Sequence, residues 1–100
     1  MTRETLPNRR GTIGYAYDHE GQSYMAHVSH YDDGRPAELF VTGAKVGTGV
    51  DNAARAASIA TSFCLQYGVP LDKLRAALPR DPQGKPLDPV GAALDLLDFA

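Results

Sequence analysis

The chain predicts a small α+β domain: a three-stranded antiparallel β-meander followed by three helices packed on one face. Three observations carry this. Apolar residues alternate with period two from Thr12 through the third strand, then recur at helical spacing beyond residue 51. A glycine-rich turn at residues 43–49 separates the two regimes. Strands first and helices after is the order of an α+β layer structure, and one hundred residues suffice for one hydrophobic core.

In the first strand Ile13, Tyr15 and Tyr17 share one face, with Thr12, Gly14, Ala16 and Asp18 on the other. Residues 18–21, Asp-His-Glu-Gly, read as a turn. The second strand, residues 22–30, sets Tyr24, Ala26 and Val28 opposite Ser23, Met25, His27 and Ser29. Asp32-Asp33-Gly34 supplies a second turn, and residues 37–42 form the third strand. Such a sheet has one face that needs covering.

The helices supply the cover. The first is expected from Asp51, as N-cap, to Tyr67, with Gly68 ending it in the left-handed conformation. Ala53, Ala56, Ala57, Ala60, Phe63, Cys64 and Tyr67 fall at helical spacing, and the small alanines suggest close approach to the sheet or to another helix. Pro70 suits the first turn of a short second helix carrying Leu71, Leu74, Ala77 and Leu78. Residues 79–86 hold three prolines and a glycine and read as a loop. Asp88-Pro89 then starts a third helix with Val90, Ala93, Leu94, Leu97 and Phe99 as its stripe. The domain layout is a flexible basic arm over residues 1–10 and a single domain over residues 11–100.

Composition limits function. A net charge of -2 argues against a dedicated nucleic-acid binder. No apolar run reaches the length of a membrane span, and the polar start Met1-Thr2-Arg3-Glu4 lacks a secretory core, so a cytoplasmic location is expected. Cys64 is the single cysteine, so no internal disulfide, dithiol pair or multi-cysteine zinc site forms. His27 and His30 have opposite strand parity and would not meet at one metal without a bulge, while His19 belongs to a turn. No Ser-His-Asp or Cys-His arrangement is suggested by spacing. No catalytic residue, metal or cofactor is therefore expected.

The candidate binding site is the turn. Gly43, Gly47 and Gly49 permit positive φ and close backbone approach, Lys45 adds a cation, Thr48 a hydroxyl, and Asn52 follows in the helix. Backbone N–H groups at such a turn suit a phosphate or other anion. No Gly-Lys-Ser/Thr ends the loop as in phosphate-loop nucleotidases, and Asp51 competes for the same donors. Corner-turning alone and a partner-protein contact are the other readings. Tyr15, Tyr17 and Tyr24, with Phe40 from the third strand, form a possible aromatic patch for core or dimer packing, or for stacking bases.

Residues 33–40, Asp-Gly-Arg-Pro-Ala-Glu-Leu-Phe, followed by Gly43-Ala44-Lys45-Val46-Gly47, resemble the TSCPD domain found at the carboxy-terminal end of adenosylcobalamin-dependent ribonucleotide reductases. The likeness runs through Gln66-Tyr67-Gly68-Val69-Pro70-Leu71-Asp72-Lys73-Leu74 and residues 84–95. The start Leu6-Pro7-Asn8-Arg9-Arg10 is similar to that of short stand-alone α-proteobacterial proteins of this layout. The resemblance implies an appendage outside the radical-generating barrel. The string that names the family would fall near the first helix, where this chain reads Thr48-Gly49-Val50-Asp51 without the cysteine. The expectation is a non-catalytic accessory module that binds a reductase-like protein or a nucleotide phosphate. The alternatives are a structural homo-oligomer, such as a homodimer, and a weak single-stranded nucleic-acid binder.

Overall fold

A computed structural model describes residues 2–4, 11–43 and 45–97. Most of the expected basic arm, with Ala44 and the expected contribution of Phe99, lies outside the described residues. The elements run β1 (Thr12–His19), β2 (Gln22–His30), β3 (Pro36–Thr42), α1 (Gly49–Gln66), α2 (Leu71–Ala77) and α3 (Pro89–Leu96). The strands form one antiparallel sheet in the order β1-β2-β3, as the alternation predicts.

Turn chemistry sets the registers. His19 pairs with Gln22, which leaves Glu20 and Gly21 as a two-residue hairpin loop, both with positive φ (50° and 77°). That is the sign pattern of the primed turns, whose twist matches the flanking strands. The second hairpin closes through Tyr31 N–H to Arg35 O and Gly34 N–H to Tyr31 O, next to a register shift between Ser29 and His30. Asp33 accepts from the Arg35 backbone N–H and guanidinium, which holds its carboxyl below the usual carboxylate range.

The buried face of the sheet carries Tyr24, Ala26 and Val28 from β2, and Leu39 and Val41 from β3. α3 covers it with Val90, Ala93 and Leu94. Asp88 caps α3 as its sequence indicates: Oδ2 accepts from the N–H groups of Val90 and Gly91, and Pro89 takes the first helical position. α2 adds Leu71, with Pro70 sitting at its N-cap rather than inside the first turn.

α1 departs from the expected pattern. Its buried residues are Ala54, Ser58, Thr61, Ser62, Leu65 and Gln66. Of the expected stripe, Ala57 and Cys64 are half-buried, while Ala53, Ala56, Ala60, Phe63 and Tyr67 are exposed. The reason is that α1 lies along β3, whose outer edge leaves backbone groups without strand partners. Ser58 Oγ accepts from Val41 N–H at 3.3 Å. Ser62 Oγ accepts from Leu39 N–H at 2.9 Å and donates to Leu39 O at 3.1 Å. Gln66 Nε2 donates to Ala37 O at 3.1 Å. Four helical residues rise about 6.0 Å, close to the roughly 6.8 Å spanned by two strand residues. Positions 58, 62 and 66 therefore keep step with 41, 39 and 37. Polar side chains do here what a fourth strand would do, and the exposed edge is covered.

α1 ends as Gly68 predicts: Gly68 has φ 87°, its N–H reaches Leu65 O, and Val69 N–H reaches Cys64 O. This is the Schellman pattern. The loop between α2 and α3 is held by Arg80, which donates to Arg75 O and Gly84 O and pairs with both Asp95 oxygens at 2.7 and 2.8 Å. The Arg80 hydrogen bonds hold the Asp95 carboxyl below its ordinary value. A depressed folded-state pKa stabilises above the unfolded value of about 3.9 and loses that contribution as pH falls through the folded one. Asp95→Asn is therefore expected to cost up to about 1 kcal/mol near neutrality. In urea titrations at several pH values, the gap to the parent chain should close as pH drops below about 4.

Candidate functional site

The strand-to-helix turn is built around two close contacts. Gly43 has φ 123°, and a Cβ there would stand 2.6 Å from Ser23 O and 2.9 Å from Tyr24 Cα. Gln22 Nε2 donates to Gly43 O at 3.2 Å, tying the turn to β2. The glycine is thus required by the neighbouring strand itself. Gly47 has φ 81° and open space around it.

Thr48, not Asp51, is the N-cap of α1, and the helix begins two residues earlier than expected. Thr48 Oγ1 accepts from Asp51 N–H at 3.2 Å and donates to Lys45 O at 2.7 Å. Asp51 Oδ2 accepts from Gly47 N–H at 3.1 Å and lies 3.6 Å from the Arg55 guanidinium. Sequence reasoning missed the Thr48 cap, although Thr-x-x-Asp before an alanine run is a helix-start signal; Asp51 reaches back to Gly47 N–H, one residue before the cap. Gly43, Lys45 and Gly47 lie in the turn, Thr48 caps α1, and Gly49 and Asn52 belong to its first turn. However, the N–H of Gly47 already serves Asp51, that of Thr48 serves Lys45 O, and that of Asn52 serves Thr48 O. The Asp51 carboxylate thus takes up Gly47 N–H, one of the donors that an anion at this turn would use.

The tyrosines do not form an open platform. Tyr17 and Tyr24 stack at 5.7 Å between centroids, and Tyr17 donates to Pro89 O at 2.7 Å, under α3. Burial, with Tyr24 and Asp88 nearby, pushes the Tyr17 phenol above its ordinary range. Phe40 belongs to the opposite, uncovered face, where it faces His27 across the strands. His19 is half-buried rather than solvated. With Asp88 it lines a half-open cleft of about 420 Å³ beside Tyr24, Val50, Ala54 and Leu87. His19 Nε2 and Asp88 Oδ1 have no hydrogen-bond partner but are closed to solvent, so the accessible wall is mainly apolar. His27 Nε2 meets Thr42 Oγ1 at 3.3 Å. Among the described residues, no three His, Cys, Asp or Glu side chains converge as a metal group.

The outer face of α1 carries exposed apolar side chains. Ile59 is 48% exposed, Phe63 44% and Tyr67 38%, and Ala56 and Ala60 fill the space between them. The Arg3 guanidinium lies 4.6 Å over the Phe63 ring and its Nε bonds Gln66 Oε1. Glu4 N–H donates to Gln66 O, Tyr31 Oη donates to Glu4 O, and Arg35 pairs with the Glu4 carboxylate at 3.0 Å. Arg3 and Glu4 therefore extend this surface at the C-terminal end of α1.

The profile of the TSCPD domain matches residues 2–90. A vitamin B12-dependent ribonucleotide reductase of Rhodopirellula baltica is 37% identical over 70 residues, 70% of this chain and 7% of the relative. One of Bradyrhizobium diazoefficiens is 37% identical over 71 residues, 71% of this chain and 6% of the relative. The chain thus spans less than a tenth of the length of these curated relatives. No solved structure matches it. No helix among the described residues is long and apolar enough to cross a membrane.

Proposed function

We propose that this chain, which belongs to the TSCPD domain family, is a non-catalytic cytoplasmic module that binds a reductase-like protein. The observation that carries the reading is the apolar outer face of α1, opposite the core, where Ile59, Phe63 and Tyr67 stay 38–48% exposed with Arg3 stacked on Phe63. Apolar residues clustered on a helix outside its buried face mark a protein contact more often than chance exposure. The relatives support the choice of partner, because in them the matching segment is a small part of a long reductase chain. The nucleotide-phosphate reading is weaker here, since Asp51 and Lys45 already hold donors of the turn.

The test uses the Bradyrhizobium diazoefficiens reductase with its matching segment deleted, titrated onto the immobilised chain. Saturable binding is expected, with Phe63→Glu weakening it at least tenfold, about 1.4 kcal/mol. No binding at accessible concentrations, or equal binding by the Phe63 variant, sinks the proposal. A second reading, self-association, is favoured by the uncovered edge of β1.

A further inference from the structure

The two edges of the sheet are treated differently. The β3 edge is closed by Ser58, Ser62 and Gln66. Among the described helices and strands, those packed closely on β1 are β2 beside it and α3 across its face, and neither covers its outer edge.

The ladder says which groups are left over. In β3 the N–H or C=O groups of residues 37, 39 and 41 face α1. In an antiparallel ladder a residue's N–H and C=O point to the same side, and successive residues alternate. Residues 38, 40 and 42 therefore bond to Ser29, His27 and Met25, and Tyr24, Ala26 and Val28 bond to Tyr17, Tyr15 and Ile13. It follows that Thr12, Gly14, Ala16 and Asp18 aim their backbone groups outward from β1. All four are exposed, and two of them are the smallest residues available. The strand has no proline or lysine, the devices that normally block strand addition.

We infer that β1 pairs antiparallel with β1 of a second copy, with Tyr15 on the two-fold axis, to give one continuous six-stranded sheet. The inference deepens the self-association reading and rests on it. The sequence around Tyr15 is self-complementary in this register. Gly14 opposes Ala16 of the other copy, so the central hydrogen-bonded pairs carry little bulk, and Thr12 opposes Asp18 farther out. Ile13, 49% exposed in the single chain, opposes Tyr17 on the other face, an aliphatic–aromatic cross-strand pair. The contact is isologous, as a C2 dimer requires.

Two measurements on the full chain test this. Sedimentation up to millimolar concentration should show a dimer. Ala16→Pro removes only an outward N–H, which an edge strand tolerates, and should leave a folded monomer with at least a thirtyfold weaker dimer. Phe63→Glu should leave the dimer intact. Amide exchange in the parent chain should show Gly14, Ala16 and Asp18 gaining protection as concentration rises, while Ile13, Tyr15 and Tyr17 stay protected throughout. Exchange decides alone if Ala16→Pro does not fold. A parent chain that stays monomeric overturns both self-association and this edge. A dimer that survives Ala16→Pro, or leaves residues 14, 16 and 18 unprotected, keeps self-association and overturns the β1 pairing.

Discussion

Ser62→Ala is expected to destabilise the fold by about 3 kcal/mol, because it strands two buried backbone groups at about 1–3 kcal/mol each. The Ser62 hydroxyl accepts from Leu39 N–H and donates to Leu39 O, and both residues are buried. Alanine keeps the helix propensity and loses both bonds. For a domain of this size the thermal midpoint should fall by roughly 10–20 °C. Ala60→Ser, a serine added on the exposed side of the same helix, should change the stability by less than about 0.5 kcal/mol. A Ser62→Ala loss no larger than the Ala60→Ser change would mean that the edge of β3 is not held by this side chain.

Gly43→Ala is expected to be at least as damaging, at about 4 kcal/mol. Positive φ on a non-glycine residue contributes on the order of 1–3 kcal/mol, and forcing atoms into a filled space adds about 1–3 more. The neighbours that the new Cβ would meet, Ser23 O and Tyr24 Cα, are backbone of the central strand and cannot swing aside. Gly47→Ala is the matched control: its φ is also positive, at 81°, but nothing lies within 4 Å. It should lose only about 1 kcal/mol. Equal losses at the two positions in urea titrations would remove the close-approach argument. The contrast also separates two reasons for a glycine-rich turn, since Gly43 serves the fold without any ligand.

The strands were legible because their signal is purely local. Alternation at Ile13, Tyr15 and Tyr17 and at Tyr24, Ala26 and Val28 assigns both faces, and the Glu20-Gly21 and Asp33-Gly34 pairs close the hairpins. Asp88-Pro89 and Gly68 marked helix ends for the same reason. The orientation of α1 was hidden because its buried side is chosen by hydrogen bonding to a strand edge. A hydropathy pattern reads Ala56, Ala60 and Phe63 as core and Ser58, Ser62 and Gln66 as surface, the reverse of what is found. The four-residue spacing of the hydroxyl and amide side chains was the available signal, matched to the two-residue spacing of β3. Asp51 was misplaced as the cap because Thr48 three residues earlier fills that role. Tyr15, Tyr17 and Tyr24 pack with the core, one of the readings the sequence offered, and Phe40 stands apart because its parity is opposite to theirs.

The hydroxyl and amide ladder along α1 has a thermodynamic consequence for anything that docks on the far side of that helix. Three anchor points in step with three strand residues forbid sliding and rolling, since a shift of one residue would break all of them together. Ile59, Phe63 and Tyr67 are thus offered from a rigid backbone, and only their rotamers remain to be ordered. Association on this surface would lose little conformational entropy, and its heat capacity change would report the apolar area removed from water rather than coupled folding.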